Sequence, residues 1–276
     1  MIIDCHCHAG KGDGFTGPWD TSAPLERYLA RADEAGIAKT VLFPVFDSDY
    51  RSANRRLAKI VASAPQRFIG FAMVHARRDR GRVVEMIAEA VGTFGFRGIK
   101  VHRHDARISR EICEAARHWR IPVLYDVGGE AATVDLLAEE YPDVPFIIPH
   151  LGSFADDWGA QRSLIDRMVR YANVFTDTAG VRRFDLLEEA VARAGAHKVI
   201  FGSDGVFLHP GLELEKIKLL KLSREDYAKI AGENLIGLLR RDRRNSSQLT
   251  DTSNVIRFGN VVGRRNAAPF AGSAYL

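Results

Sequence analysis

The sequence has little of what would assign it to several common protein classes. Its 276 residues include three cysteines, too few for a disulfide framework. No apolar run approaches membrane-spanning length, and no basic stretch precedes the first apolar segment as in a secretory signal. Basic and aromatic residues do not alternate along the body of the chain. We therefore expect a cytoplasmic protein that binds neither a membrane nor a nucleic acid.

The positive net charge of +4 belongs to one end of the chain. Residues 240–276 contain seven Arg and two Asp, which gives +5 and leaves about −1 for the other residues. The same segment is rich in Asn, Ser and Gly. We predict that residues 241–276 form a basic arm outside the main domain, either mobile or reaching a neighbouring subunit of a homodimer. A partly disordered terminus is the simpler interpretation.

Strand and helix patterns alternate through the rest of the chain. A hydrophobic fraction of 46% is enough for a sizeable core. Apolar runs predict strands at residues 2–8, 39–45, 68–75, 95–102, 122–126, 145–150, 173–177 and 198–204. Segments with helical spacing of apolar residues lie between them and after the last one. Eight strand–helix units predict a (β/α)₈ TIM barrel over residues 1–240. A doubly wound open sheet is the alternative, but no G-x-G-x-x-G follows any strand.

The first predicted strand ends in the pattern His6-Cys7-His8. Alternation along a strand places His6 and His8 on one face, where two imidazoles can bind one metal ion. Burying both rings costs free energy of desolvation unless something binds them. The alternative is a pair of packed core histidines. Alternation also predicts that Cys5 and Cys7 point to the opposite face as core thiols.

Titratable residues gather at the carboxyl ends of the predicted strands, where barrels of this kind carry their active sites. Histidines scattered over the surface would not be expected to occur so often at strand ends. The residues at these ends are His6, His8, His75, Lys100, His102, Asp126, His150 and Asp204.

Lys100 shares one strand face with Gly98 and His102. If that face is the barrel interior, the buried ammonium needs a partner or a function. It can neutralise a carboxylate near a metal, hold an acidic substrate, or form a carbamate that bridges two metals. Pairing with an internal carboxylate for stability alone is the alternative.

The chain resembles the amidohydrolase superfamily, in the branch that includes aminocarboxymuconate semialdehyde decarboxylase. The resemblance rests on Ile3-Asp4-Cys5-His6-Cys7-His8 and on six further segments in the same order. They are residues 65–72, 96–102, 122–126, 145–152, 199–204 and 227–239. Residues after 241 are not covered.

The resemblance implies a role for each matching position. His6, His8 and Asp204 would be metal ligands, and His150 a ligand or a catalytic group that polarises the substrate. Imidazoles and a carboxylate suit Zn²⁺ or a similar divalent ion, which lowers the pKa of a bound water. Asp204 could then accept the proton of that water.

One position departs from the family pattern. The family has a histidine at the end of strand five, where this sequence has Asp126. If Asp126 is a ligand, the harder donor set makes Mn²⁺ an alternative to Zn²⁺. Otherwise His102 or His75 takes that place, or the site is degenerate. In the loop after strand one, Phe15 and Trp19 could form an apolar wall for the substrate, with His102 as another contact.

We predict a metal-dependent hydrolase that acts on a small carbonyl-containing substrate, such as an amide or a lactone. Asp204, His150 and Lys100 would be its catalytic residues. A metal-dependent decarboxylase or lyase acting on a small carboxylic acid is the first alternative. A non-catalytic binding or assembly protein is the second.

Overall fold

The computed structural model describes residues 1–17, 19–154 and 157–240, and within them it has one sheet of nine strands. The strands follow the order β2-β1-β3-β4-β5-β6-β7-β8-β9, and every neighbouring pair except β1 with β2 is parallel. The strands are β1 Ile2–Lys11, β2 Ser22–Ala23, β3 Ile37–Pro44, β4 Phe68–Met73, β5 Gly98–His102, β6 Val123–Asp126, β7 Phe146–Ile148, β8 Val174–Asp177 and β9 Val199–Ile200.

Helices follow the parallel strands, so the predicted alternation of strands and helices is confirmed. They are α1 Glu26–Glu34, α2 Tyr50–Ser63, α3 Val83–Gly92, α4 Arg110–Trp119, α5 Thr133–Glu140, α6 Trp158–Arg170, α7 Phe184–Ala194, α8 Pro210–Leu219, α9 Arg224–Ala228 and α10 Asn234–Leu239. A π-helical segment, Lys229–Glu233, separates α9 from α10. A Cβ on Gly232 would lie 2.6 Å from the Met1 carbonyl oxygen, so glycine allows this segment to pack against the start of β1.

The sheet curls so that the chain after β9 returns to β1. The Cys5 N–H donates to the Phe201 carbonyl oxygen at 3.0 Å, and the His8 N–H donates to the Gly205 carbonyl oxygen. Cys7 and Gly205 form a parallel bridge. The first and the last parallel strands therefore meet, with His6 and His8 beside the segment that carries Asp204.

Apolar side chains fill the inside of the curled sheet. This interior cluster includes Ile3, Cys5, Val41, Phe43, Phe71, Leu124, Ile147, Phe175 and Ile200, with Leu235 and Leu238 from α10. Gly98 makes room for it, because a Cβ there would lie 2.5 Å from the Phe71 ring.

The prediction that Cys5 points away from His6 is wrong. The register between β1 and β3 shifts between Asp4 and Cys7, which breaks the strict alternation of side chains. Cys5 therefore joins the interior cluster, and its thiol lies 4.0 Å from the Asp177 carboxylate. Cys7 belongs to the outer core between the sheet and the helices. Both remain buried free thiols, as expected of core residues.

The basic arm and the helices bear on the partners predicted from the sequence. The basic arm predicted for residues 241–276 lies outside the described residues. Of the helices described above, none combines the length and apolar character that crossing a bilayer requires.

Candidate metal centre

His6, His8 and Asp204 converge at the carboxyl edge of the parallel strands. Both Nε2 atoms, of His6 and of His8, lie 3.3 Å from Asp204 Oδ1. The three donor atoms lie within 4.8 Å of one another, and all three residues are buried. Asp204 has φ of 55°, a left-handed conformation that Asp tolerates better than most residues. This turn directs its carboxylate toward β1.

The ring orientation of His6 is fixed by Asp177 at the end of β8. His6 Nδ1 lies 2.7 Å from Asp177 Oδ2, while Asp177 Oδ1 accepts from the backbone N–H groups of His150 and Ala179. Because an ionised carboxylate only accepts, Nδ1 carries the proton and Nε2 keeps a lone pair toward Asp204. The sequence reasoning placed Asp177 at a strand end but gave it no role.

His150 is reached through a left-handed turn rather than by a longer strand. β7 ends at Ile148, and His150 and Leu151 have φ of 59° and 54°. The His150 Nδ1 donates to the Ala179 carbonyl oxygen at 2.8 Å, which orients Nε2 toward Asp126 Oδ2 at 3.6 Å. The His150 ring also packs 4.9 Å from the His6 ring, centroid to centroid. His150 therefore lies at the same centre as the ligand candidates.

Asp126 lies between two histidines. Its Oδ2 is 3.2 Å from His102 Nε2 and 3.6 Å from His150 Nε2, and its Oδ1 accepts from the Gly128 N–H. The His102 Nδ1 accepts from the His104 N–H, so a neutral His102 carries its proton on Nε2 and donates it to Asp126. Among the described residues, some sets of three or more His, Cys, Asp or Glu residues have possible ligand atoms within 4.8 Å of one another. Neither His102 nor Asp126 belongs to such a set. This arrangement favours Asp126 as an orienting group for His150.

Lys100 is completely buried inside the sheet. Its Nζ lies 4.8 Å from the centroid of the Phe43 ring and has no hydrogen-bond partner among the described residues. Burial lowers the pKa of Lys100, against the opposing effect of the Asp126, Asp204 and Asp177 carboxylates. The structure therefore places Lys100 beneath the carboxylates without a direct ion pair to any of them.

The electrostatics suit a carboxylate and a neutral imidazole as ligands. Burial raises the pKa of Asp204, but His6, His8 and His150 together outweigh this and hold it below its usual range. Burial and Lys100 lower the pKa of His6 despite the attraction of Asp204. Asp204 is therefore ionised and His6 neutral at pH 7, which are the forms that bind a metal.

Aromatic and acidic groups lie around His102 and His104. Trp19 is 49% exposed, and its ring lies 4.8 Å from the His104 ring, centroid to centroid, at an interplanar angle of 53°. Phe15 is 85% exposed. Phe46 packs at 5.0 Å from the His102 ring and was not singled out from the sequence. Asp20 is a second residue that sequence reasoning missed. Burial raises its pKa, and the charges of His8, Asp204, His102 and Lys100 act on it.

Other residues considered from the sequence lie away from the centre or have other roles. His75 Nδ1 accepts from the N–H groups of Arg77 and Arg78, at 3.2 and 3.1 Å, and His75 is not in a donor group of the described residues. Three arginines of α2, after β3, could meet an acidic substrate, but they pair with carboxylates of the protein: Arg51 and Arg55 with Glu89, and Arg56 with Asp47.

The three convergent donors fit a divalent metal ion. In a tetrahedral site with metal–ligand distances of about 2.0–2.2 Å, neighbouring donors lie about 3.3–3.6 Å apart. The 3.3 Å separations of Asp204 Oδ1 from the two Nε2 atoms match this spacing. Two imidazoles and a carboxylate are also a common donor set for a catalytic metal with an open position.

The family model for amidohydrolases matches residues 3–241, and the chain belongs to that family. The resemblance inferred from the sequence motifs is thereby confirmed. Among curated proteins, no match to this chain was found.

Solved structures with the same fold include decarboxylases and a hydrolase. The 5-carboxyvanillate decarboxylase of Sphingomonas paucimobilis has a TM-score of 0.69 at 15% identity, over 87% of this chain and 98% of that one. The dihydroxybenzoic acid decarboxylase of Polaromonas sp. JS666, with bound manganese and 2-nitroresorcinol, has a TM-score of 0.65 at 19% identity. The match covers 86% of this chain and 96% of that one. A probable 2-pyrone-4,6-dicarboxylic acid hydrolase of Acinetobacter baumannii, with citric acid bound, has a TM-score of 0.66 at 14% identity. The match covers 86% of this chain and 98% of that one. At these identities the likeness shows the fold.

Proposed function

We propose that this protein is a divalent-metal-dependent hydrolase of a small carbonyl-containing substrate, built on a closed (β/α)₈ barrel. The observation that carries the proposal is the convergence of His6 Nε2, His8 Nε2 and Asp204 Oδ1, with the His6 ring fixed by Asp177. The barrel is supported by the hydrogen bonds that join the segment after β9 to β1.

Each residue around this centre has its own role in the proposed hydrolysis. A divalent ion held by His6, His8 and Asp204 would lower the pKa of water and polarise a carbonyl. Asp204 contacts both histidines through Oδ1, so we assign Oδ2 to accept the proton of the attacking water. Burial lowers the pKa of His150, but the Asp126, Asp177 and Asp204 carboxylates outweigh this and raise it, so Nε2 can carry a second proton while Nδ1 donates to Ala179. As an imidazolium, His150 would donate a hydrogen bond from Nε2 to the carbonyl oxygen as it gains negative charge.

The charge of the metal-loaded centre would favour a neutral substrate. Asp126, Asp177 and Asp204 are all buried there, and their charges act on Lys100. Before His150 gains a second proton, a divalent ion together with the Lys100 ammonium would balance the three carboxylates, so an amide or a lactone would leave the centre neutral, whereas a carboxylic acid would add a negative charge. Trp19, which packs against His104, and the exposed Phe15 would supply apolar surface for such a substrate.

The metal that we propose is Zn²⁺, with Mn²⁺ as the alternative. Two imidazoles and one carboxylate suit Zn²⁺. The nearby Asp126 and the manganese in the Polaromonas enzyme support Mn²⁺.

Decarboxylation of a small carboxylic acid is the second candidate, and the solved structures support it at least as well as hydrolysis. Two of the three structures described above are decarboxylases of aromatic acids. Lys100 is the feature of this chain that favours an acid, because its buried ammonium has no hydrogen-bond partner among the described residues. An anionic substrate would offset the cost of burying that charge.

One substrate screen separates these functions. The full chain, loaded with Zn²⁺ or Mn²⁺, is assayed on lactones, amides, and aromatic or unsaturated acids, and both water addition and CO₂ release are measured. We expect hydrolysis of neutral substrates that is lost in Asp204→Asn and retained in the exposed Asp185→Asn. CO₂ release without hydrolysis would establish the second candidate. No turnover by the metal-loaded protein would favour the non-catalytic alternative.

The cellular setting is also proposed rather than observed. Three buried free thiols are compatible with a reducing cytoplasm, and a homodimer is compatible with the basic arm.

A further inference from the structure

A pocket outside the metal centre lies on the same edge of the sheet. It has a volume of about 490 Å³, within the range of small-ligand sites. It is formed by the loop after β4, the loop after β5 and the start of α4. The polar residues that line it are Arg77, Arg80, Arg107, Arg110, Ser109 and Glu111. None of them belongs to the His and Asp cluster of the metal centre.

The pocket carries an excess of positive charge. Among the described residues no carboxylate pairs with Arg77 or Arg80, whereas Arg107 pairs with Glu130 and Arg110 with Glu140. The carboxylate of Glu111 accepts from the N–H groups of Gly81 and Val83, at 2.9 and 3.1 Å, and so caps α3. Arg77 and Arg80 contribute +2 and Glu111 contributes −1, which leaves a net charge of about +1 that attracts an anion.

The start of α4 adds a further attraction for an anion. This ten-residue helix begins at Arg110, and the positive end of its dipole lies at the pocket. Ser109, at the N-cap, accepts no side-chain capping hydrogen bond, and its hydroxyl has no partner among the described residues. Serine at an N-cap usually satisfies one of the first N–H groups of the helix. Here the Ile112 N–H donates to the Ser109 carbonyl oxygen at 3.1 Å instead, so that, of these groups among the described residues, the Ser109 hydroxyl is left for a ligand.

We propose that this pocket binds a small molecule through a phosphate group. Guanidinium groups match the paired oxygens of phosphate, and helix N-termini bind the same group. The unpaired Arg77 and Arg80 provide the net charge, and the volume accommodates a phosphate monoester with a small organic part. This binding site is independent of the metal centre and of the reaction proposed for it.

The test is a calorimetric titration of the full chain with inorganic phosphate at constant ionic strength. Wild type is compared with the double variant Arg77→Gln/Arg80→Gln and with Arg27→Gln/Arg224→Gln, which removes the same charge from exposed helix positions. We expect saturable binding at one site. The affinity should fall at least about tenfold in the first variant, the effect of about one charge-assisted hydrogen bond, and less than about twofold in the second.

Two further arms identify the ligand class and the place of binding. Arg77→Lys/Arg80→Lys should weaken phosphate binding partially, because it keeps the charge but loses the bidentate fork. His6→Ala should bind phosphate as wild type does. The proposal is overturned if phosphate does not bind saturably, or if both Gln variants weaken it equally. It is also overturned if His6→Ala abolishes binding, or if glutarate, a dicarboxylate, binds more tightly than phosphate.

Discussion

The hydrogen bond between His6 Nδ1 and Asp177 Oδ2 determines which nitrogen of His6 faces Asp204. Asp177 can do this because its other oxygen is held by the N–H groups of His150 and Ala179, at 2.9 and 3.1 Å. One carboxylate therefore sets the His6 tautomer and anchors the turn that carries His150. Mutation of a residue that hydrogen-bonds a metal ligand in this way typically lowers metal affinity about 10- to 100-fold.

Asp177→Asn should weaken metal binding about 10- to 100-fold. The amide oxygen would stay with the two backbone N–H groups, so the amide NH₂ would face His6 Nδ1. Nδ1 would then accept, and Nε2 would carry the proton and lose its role as a ligand. Competition with a chromophoric chelator measures the affinity. Asp185→Asn, an exposed carboxylate paired with Arg183, is the control and should bind metal as wild type does. An Asp177→Asn protein with unchanged affinity would contradict this account.

Single residues differ in how far the sequence predicts them. His6 and His8 stand in one strand with a recognisable pattern, so their convergence could be predicted from two positions alone. Asp177 has its role only because β8 lies near both β1 and the turn after β7. Asp20 and Phe46 likewise acquire their places from loops whose course the sequence pattern does not indicate.

At the scale of elements, most strands and helices could be predicted from apolar periodicity. The strand predicted at residues 198–204 is shortened to Val199–Ile200, and three further exceptions have identifiable causes. The predicted strand at residues 145–150 ends at Ile148, because His150 and Leu151 adopt left-handed conformations that periodicity does not reveal. The register shift in β1 turns Cys5 inward. The helical spacing after the last predicted strand continues over residues 224–239, but the helix is interrupted where Gly232 packs against Met1. All three exceptions occur where tertiary contacts override the local pattern.

Lys198 joins two of these elements and yields a stability prediction. Its ammonium donates to the carbonyl oxygens of Tyr171, Ala172 and Val174, at 2.6, 2.8 and 3.0 Å, and so ties the start of β8 to β9. Lys198→Met should lower the free energy of unfolding by about 1–3 kcal/mol, because the carbonyls lose their donor. Urea denaturation measures this. Lys59→Met on the exposed face of α2 should change it by less than about 0.5 kcal/mol, and equal effects of the two would refute the explanation.

At the scale of the whole molecule, the metal centre lies where the two ends of the parallel sheet meet. His6 and His8 belong to β1, whereas Asp204 follows β9. A metal held by all three would join the first and last parallel strands. The alternation of strands and helices could be predicted because every unit repeats the same pattern. The curling of the sheet could only be inferred by analogy, because it depends on contacts between residues about 200 positions apart, such as Ser203 with Asp4.

Metal binding by the purified full chain tests the central claim most directly. The protein is stripped with a chelator, reloaded with Zn²⁺ or Mn²⁺, and its metal content and affinity are measured, with thermal unfolding recorded in parallel. We expect about one ion per chain, an affinity at least about 100-fold weaker in His6→Ala and Asp204→Asn, and no change in the exposed His118→Ala. A metal concentration of about 100 times the wild-type Kd should add about 2.7 kcal/mol of stability to wild type and to His118→Ala, and less than about 0.5 kcal/mol to His6→Ala and Asp204→Asn. Wild type that takes up neither ion, or His6→Ala that binds as wild type does, would contradict the account.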